Sequence, residues 1–331
     1  MNLPIVGIAI IGVALFFDFI NGFHDSSNVV ATMISSRAMS ARNALALSAV
    51  AHFCGPFLFG VAVATTIGHE VIDPQAITVV VIFVALAASI IWNLITWVLG
   101  IPSSSSHALV GGLIGAVSVD FGFAVIRVRG LLKVIAALLA SPILGLVIGY
   151  VLMRLVLFLA RGASPRINWA FKRAQIITSL ALALSHGAND AQKTMGIIAM
   201  SLVTLGHLPE FSVPWWVIAL SAGAISLGTA LGGWRIIRTL GTKFYKIRPV
   251  HGFTAQVASA CIILGAAFLG GPVSTTHVVS SAILGVGSAT RFSRVRWNVA
   301  GNILAAWVLT IPASALLAAL LHLGINLLLQ S

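Results

Sequence analysis

The chain has 331 residues, of which 59% are hydrophobic and only 8% are charged, and its mean hydropathy is +1.06. Soluble domains are about half apolar and about a quarter charged, so this composition excludes a soluble protein and indicates an integral membrane protein. The formal charge of +12 does not favour nucleic acid as a partner, because the basic residues lie in short clusters between long apolar runs. The expected environment is a lipid bilayer.

Ten apolar runs approach or exceed the length of about 20 residues that a spanning helix needs. The first half contains the runs 3–35, 43–67, 76–99, 102–124 and 131–158, and the second half contains 174–205, 214–234, 250–270, 272–292 and 297–327. We predict an all-α polytopic membrane protein with two repeats of about five membrane segments each. The predicted units are a first repeat over 1–160, a cytoplasmic linker over 161–173 and a second repeat over 174–331.

Two short polar motifs occur once in each half. Gly-x-(His/Asn)-Asp stands at 22–25 and 187–190, and Pro-x-Ser-(Ser/Thr)-(Ser/Thr)-His stands at 102–107 and 272–277. Repeated polar motifs in an apolar chain point to the binding site of a transporter. The two long runs that contain the first motif predict broken helices. The runs that follow Pro102 and Pro272 are candidates for re-entrant hairpins.

The loop charges predict the orientation of the segments, because cytoplasmic loops carry an excess of Lys and Arg. If the N-terminus lies outside and each run crosses once, the inside loops hold most of the 19 basic residues, with the cluster from Arg127 to Lys133 as the exception. An odd number of crossings per half makes the repeats inverted and places both termini outside. If a run forms a hairpin that returns to its own side, it does not cross the membrane, and the odd number of crossings per half must then be restored by another segment. The acidic residues of the outside loops are Glu70, Asp73, Asp120 and Glu210.

Charged side chains within membrane segments are costly and by default mark a functional site. Asp25 and Asp190 occupy matching positions in the two halves. Carboxylates beside amides and hydroxyls suit a proton or a hard monovalent cation, and sodium is one candidate, at Asp25, Asn28 and Asp190. The residues predicted to serve the coupling ion or proton are His24, Asp25, Asn28, Asn189 and Asp190.

Two further intramembrane charges have more than one interpretation. Lys193 either balances the charge of an anion or pairs with Asp190, three residues earlier on a helical face. Asp18, one turn before Asn21, is open between a functional role and helix packing.

The Pro-Ser motifs predict an anion site. Proline ends one helix and is tolerated in the first turn of the next, so the hydroxyls fall at a helix N-terminus, where free N–H groups and the helix dipole bind anions. Capping or small-residue packing is the alternative for one copy, and the matching second copy favours the anion. The predicted binding residues are Ser104, Ser105, Ser106, Ser274, Thr275, Thr276, Gln192 and Lys193.

These motifs resemble the inorganic phosphate transporter (PiT) family in its bacterial form, whose hallmark is a Gly-x-Asn-Asp signature in each of two inverted halves. The strings 21–28 and 185–196 carry the resemblance, which extends over nearly the whole chain. It implies uptake of inorganic phosphate, a coupling ion at the signature aspartates, phosphate at the hydroxyl-rich tips, and a homodimer. His24 replaces the familiar Asn of the signature. This replacement weighs against sodium and favours proton coupling or symport of a metal–phosphate complex.

The sequence therefore predicts a symporter of the cytoplasmic (inner) membrane that imports inorganic phosphate by alternating access, coupled to protons or sodium, with no cofactor except a candidate sodium ion. The alternatives are a carrier of another oxyanion such as sulfate, and an ion or anion channel on the same scaffold. An enzyme is disfavoured. Ser185 and His186 would project about 100° apart on a helix, which is poor geometry for a nucleophile and its base.

Overall fold

The computed structural model describes residues 5–67, 72–73 and 76–330, with side chains as far as Leu328. Residues 3 and 4 of the first predicted segment, and Glu70, lie outside the described residues. The structure contains short 3₁₀ turns at Phe123–Val125 and Phe292–Arg294 and a π-helical turn at Thr239–Lys243. The α-helices of the described residues are α1 (Ile5–Ser35), α2 (Ala41–Leu58), α3 (Ala62–Thr65), α4 (Val79–Leu99), α5 (Ser105–Phe121), α6 (Val128–Leu159), α7 (Ile167–Thr204), α8 (Trp215–Leu231), α9 (Trp234–Arg238), α10 (Pro249–Phe268), α11 (Thr275–Arg291) and α12 (Trp297–Gln330).

Several helices are built to face lipid. Among the described residues, α1, α4, α6, α10 and α12 are long and apolar enough to cross a membrane, and α8 with α9 and the π-turn forms a sixth candidate span, bent by 60°. Leu139 and Ile143 of α6 and Leu316 and Leu320 of α12 are more than half exposed, as a helix surface that contacts lipid chains should be. The chain is an all-α, multi-pass membrane protein, as the sequence predicts.

The two repeats exchange partners instead of forming separate bundles. α1 packs along α8 and α2 along α7, while α5 packs along α12 and α6 along α11. In the repeat, α1 is equivalent to α7 and α2 to α8, so the α1–α8 and α2–α7 pairs are the same contact with the two halves exchanged. The α5–α12 and α6–α11 pairs are related in the same way. Both halves therefore contribute to every part of the interior.

Each Pro-Ser motif forms the tip of a helical hairpin. α4 ends at Gly100 (φ +66°), a short extended stretch carries the proline, and Ser104 then caps α5 by accepting a hydrogen bond from the His107 amide at 3.2 Å. Gly270 (φ +67°) and Ser274 repeat this arrangement between α10 and α11. Glycine suits the ends of α4 and α10 because the left-handed backbone there disfavours a side chain.

The hairpins extend further than the sequence indicated. The runs after Pro102 and Pro272 each form one helix, and the hairpins are completed by α4 and α10, which the sequence treated as independent crossings. A hairpin of two helices that returns to its own side adds no net crossing. The parity derived from the loop charges therefore needs no repair.

The prediction that the long runs break at Gly22 and Gly187 is wrong, because α1 and α7 run through the motif without interruption. These glycines permit close packing. An added Cβ on Gly22 would overlap the carbonyl of Ile225 in α8, and one on Gly187 would lie 2.7 Å from the backbone of His52 in α2. The breaks occur where residues 59–61 separate α2 from α3 and where residues 232–233 separate α8 from α9.

The short segments beyond these breaks hold the hairpin tips. The hydroxyl of Thr66, after α3, donates a hydrogen bond to the carbonyl of Gly270 at 2.8 Å. The hydroxyl of Thr239, after α9, donates to the carbonyl of Gly100, also at 2.8 Å. We call these two equivalent contacts the tip latches. Arg235 adds to the second latch, because its guanidinium donates to the carbonyl of Val98 at 2.6 Å.

Candidate functional site

The two hairpin tips meet at the centre of the molecule. The Ser106 hydroxyl donates to the carbonyl of Val273 at 3.3 Å, and the ring centroids of His107 and His277 are 4.5 Å apart. The first turns of α5 and α11 therefore reach the acidic motifs on α1 and α7. Each predicted site residue is at most 3% exposed, so this conformation closes the site from both sides of the membrane.

Asp25 on α1 is held by one imidazole and two hydroxyls. Nδ1 of His24 lies 2.8 Å from Asp25 Oδ1. The hydroxyl of Thr276 donates to the same oxygen at 3.1 Å, and that of Thr275 donates to Oδ2 at 3.5 Å. Asn28, one turn further along α1, donates its amide to the Thr276 hydroxyl at 3.0 Å. The first turn of α11 thus closes directly over the carboxylate.

Asp190 on α7 has a more cationic environment. Its Oδ1 contacts the ammonium of Lys193, and its Oδ2 accepts a hydrogen bond from Thr275 at 3.0 Å. Nε2 of His186 lies 3.2 Å from Oδ2, without the alignment of a hydrogen bond. A buried ion pair costs desolvation of both charges, which the hydrogen bond from Thr275 helps to offset.

Thr275 joins the two acidic motifs, because its hydroxyl is within 3.5 Å of both Asp25 and Asp190. The sequence assigned Thr275 and Thr276 to the anion and the two aspartates to the coupling ion. The structure brings these two predicted groups into one buried cluster. Any ligand that draws the threonine hydroxyls away removes hydrogen bonds from both carboxylates at once.

The first-half hairpin has different partners. Ser105 donates its hydroxyl to Asn21 Oδ1 at 2.7 Å, and Ser104 is the cap of α5. The hydroxyls of Thr96 and Ser103 lie 2.7 Å apart, and Thr96 is 3.4 Å from Nε2 of His24. Ser104, Ser105 and Ser106 form hydrogen bonds with an amide side chain and with backbone groups, and not with a carboxylate of the described residues. The two tips are therefore chemically unequal.

Two predicted amides support the backbone of their neighbours. Gln192 Oε1 accepts hydrogen bonds from the amides of Val63 and Ala64 at 2.8 and 3.3 Å, which caps α3. Asn189 donates to the carbonyl of Gly271 at 3.3 Å, at the second hairpin tip. Both residues border the cluster, but the oxygen of Gln192 is already occupied by the start of α3.

The sequence did not assign roles to His186, Asn21, Thr96 or Ser103. The spacing of His186 could have indicated its position, since residues four apart share one face of a helix. The partners of Asn21 and Thr96 depend on the hairpin that brings Ser103 and Ser105 back to α1. No local sequence pattern reports that contact.

Three buried groups could hold a cation. One ligand atom from each of Asp25, His186 and Asp190 lies within 4.8 Å of the others. Two carboxylates with an imidazole suit a divalent transition metal better than sodium, which favours oxygen ligands. The predicted sodium set differs in having Asn28, whose Oδ1 is buried without a hydrogen-bond partner among the described residues.

This fold and site define a membrane transporter: helices of two repeats bury paired acidic residues and helix N-termini at the centre of a multi-pass protein. The model of the phosphate transporter family (PHO4) matches residues 21–169 and 159–318. The chain therefore belongs to the phosphate transporter family. The resemblance seen in the motifs is confirmed, and the two matches agree with a two-repeat architecture.

Similar proteins cover almost the entire chain. It is 47% identical over 322 residues to a "Probable low-affinity inorganic phosphate transporter" of Rhizobium meliloti (strain 1021), with 97% of this chain and 96% of the relative covered. A protein of the same description from Bacillus subtilis (strain 168) is 46% identical over 329 residues, with 98% of each covered. The solved structure "The sodium-dependent phosphate transporter" has a TM-score of 0.88 at 25% identity, with 98% of this chain and 100% of that chain covered. These relatives are transporters and not enzymes.

Proposed function

We propose that this protein is a symporter that imports inorganic phosphate across the cytoplasmic membrane by alternating access, driven by the proton gradient. The observation that carries this proposal is the contact of Thr275 and Thr276 with Asp25 and Asp190. It joins the N-terminus of α11, which suits an anion, to two buried carboxylates whose negative charge makes anion binding depend on a proton taken up nearby.

The arrangement suggests how the anion and the proton depend on one another. Phosphate between the hairpin tips would take hydrogen bonds from Thr275 and Thr276, because charge-assisted hydrogen bonds to an oxyanion are strong. Asp25 and Asp190 would then lose donors while a second negative charge approaches. Proton uptake near the site relieves this repulsion, so binding of one species favours binding of the other.

The groups around the carboxylates favour a proton over sodium. His24 and Lys193 contact Asp25 and Asp190 through nitrogen, whereas sodium is a hard ion that prefers oxygen ligands. Sodium remains the second candidate, because a structural relative is described as sodium-dependent and Asn28 has an unused oxygen.

The tip latches are proposed to act as the two gates. The segment from Arg235 to Arg248 is strongly basic, so the latch between Thr239 and Gly100 belongs to the cytoplasmic side. The latch between Thr66 and Gly270 then belongs to the outside, as do both termini. Opening one latch at a time would expose the buried cluster alternately.

Uptake of radiolabelled phosphate into proteoliposomes tests this function. We expect phosphate to accumulate when the outside is acidic and sodium is absent, and sulfate to compete little. An imposed sodium gradient alone should cause no accumulation. A chelator in the outer medium should leave uptake unchanged if the free anion is carried, and should reduce it if a metal–phosphate complex is carried. Rapid phosphate flux that shows no accumulation under any gradient would support a channel and contradict symport.

A further inference from the structure

Besides Asp25, α1 carries a second buried acid, which takes no part in the cluster described above. Asp18 lies near the middle of α1, one turn before Asn21, and its side chain has no exposed surface. Its depth matches that expected for the centre of a spanning helix. A carboxyl group at this position is costly unless it serves a function.

Asp18 differs from Asp25 and Asp190 in making no hydrogen bond of normal geometry, although two donor side chains lie beside it. Neither carboxylate oxygen of Asp18 has a hydrogen-bond partner among the described residues. Asn21 and Thr194 are the neighbouring polar side chains, and Nδ2 of Asn21 and the hydroxyl of Thr194 are likewise buried without partners. An ionised carboxylate in such a place would be poorly stabilised.

The charges that act on Asp18 belong to the transport site. Asp190 and Lys193 of α7 interact with it electrostatically. Among the other helices packed against α1, α4 and α8 contain no titratable side chain, whereas α2, α9, α10 and α11 carry among others His52, Arg235, His251 and His277. The helix α5, which reaches Asn21 through Ser105, has His107 as its first titratable residue. Burial has the largest effect on the affinity of Asp18 for a proton, and the charges of Asp190 and Lys193 at the transport site add to that effect.

We propose that Asp18 is the binding site of the coupling proton, an inference that rests on the proton-driven symport proposed above. The carboxylate takes up one proton when the site is open to the outside, crosses the closed state as a neutral acid, and releases the proton when the site opens to the cytoplasm. Phosphate beside Lys193 disfavours the ionised form of Asp18, and ionised Asp18 disfavours phosphate. This reciprocal effect couples the two fluxes.

The surroundings of Asp18 fit a proton better than a metal ion. Thr194 offers one oxygen, while the side-chain oxygen of Asn21 already accepts from Ser105, so Asn21 has only its N–H group left to offer. α1 and α7 are continuous helices, so their carbonyl groups are engaged in the helical ladder. A sodium ion would lack most of its ligands.

Asp18→Asn is the direct test, because an amide has nearly the shape of the protonated acid and cannot release a proton. We expect the purified variant to exchange internal for external phosphate at a rate near that of the wild type, but to accumulate none under a pH gradient. A pH dye inside the vesicles should record no proton entry with phosphate. Asp18→Glu should retain both accumulation and proton entry.

The pH dependence of phosphate binding gives a second readout. In the wild type, the half-saturating phosphate concentration should rise roughly 5- to 150-fold as the pH is raised, the usual range for coupled sites, and this rise should be absent in Asp18→Asn. Full accumulation by Asp18→Asn would overturn the proposal. So would loss of exchange in Asp18→Asn and Asp18→Glu together, since Asp18 would then be a packing residue. Phosphate accumulation by the wild type that requires a sodium gradient would refute proton-driven symport itself. This result differs from the results that refute only the role of Asp18.

Discussion

Asp190 and Lys193 form an ion pair with no exposed surface. Removing two charges from water costs several kcal/mol per ion, and their attraction offsets this cost only while both are present. The pair adds little net stability, yet each partner depends on the other. It also places an ammonium group at the transport site, where a bound anion could share it with Asp190.

Replacing one partner of the Asp190–Lys193 pair should therefore destabilise the fold more than replacing both. Asp190→Asn or Lys193→Gln alone should lower the free energy of unfolding by about 3–5 kcal/mol, because each leaves a buried charge. The double variant should regain most of that stability in thermal unfolding experiments in detergent. It should still not transport phosphate. A double variant no more stable than the single ones would show that the ion pair is not the cause.

Single residues also show what the sequence could and could not reveal. The signature motif identified Asp25 and Asp190 as buried polar groups, since charges in apolar runs are conspicuous. The contact of Thr275 with Asp25 joins residues 250 positions apart, and no local pattern predicts it. The sequence assigned Gln192 to the anion without predicting that its oxygen caps α3, because the break that creates a helix start at Ala62 was not recognised; its N–H group has no partner among the described residues.

Glycines in helices were the main source of error about individual elements. Gly22 and Gly187 were taken as breaks, but each lies where another backbone approaches too closely for a side chain. A glycine that breaks a helix and a glycine that permits close helix packing cannot be told apart in the sequence. The Pro-Ser motifs were more informative, because proline cannot continue a helix, and the helix starts after Pro102 and Pro272 were located correctly from sequence.

The cytoplasmic tip latch makes a prediction about hairpin motion. Thr239→Val removes the hydroxyl that binds the Gly100 carbonyl while keeping the shape of the side chain. A lost buried hydrogen bond is worth about 1 kcal/mol, which shifts a two-state population roughly fivefold. A cysteine placed at Ser103, with Cys54 and Cys261 replaced by alanine, should therefore react faster with a membrane-impermeant maleimide supplied from the cytoplasmic side.

Thr239→Ser is the matched control, because it keeps the hydroxyl and should leave the labelling rate unchanged. Faster labelling from the outer side would contradict the orientation inferred from the basic loops. An unchanged rate in Thr239→Val would show that this contact does not hold the hairpin.

The molecule as a whole is two unequal copies of one unit. Its pairing of α1 with α8, α2 with α7, α5 with α12 and α6 with α11 explains why neither half can form the site alone. The number and positions of the segments follow from apolar length, which sequence shows directly. The interlocking of the halves depends on contacts between distant segments and was not predicted. Inversion of the repeats and a homodimer stay predictions.

The inequality of the copies extends to their chemistry. The second hairpin presents Thr275 and Thr276 to both carboxylates, whereas the first presents Ser105 to the amide of Asn21. We infer that the position of the second tip depends on the charge of Asp25 and Asp190. The position of the first tip depends on Asn21 and on its neighbour Asp18.

The central claim is that phosphate binds between the two hairpin tips, against the acidic cluster. An experimental structure determined with phosphate bound tests it most directly. We predict a tetrahedral anion within hydrogen-bonding distance of Thr275 or Thr276 on one tip and of Ser105 or Ser106 on the other, with Lys193 nearby. An anion that contacts neither tip would contradict the account.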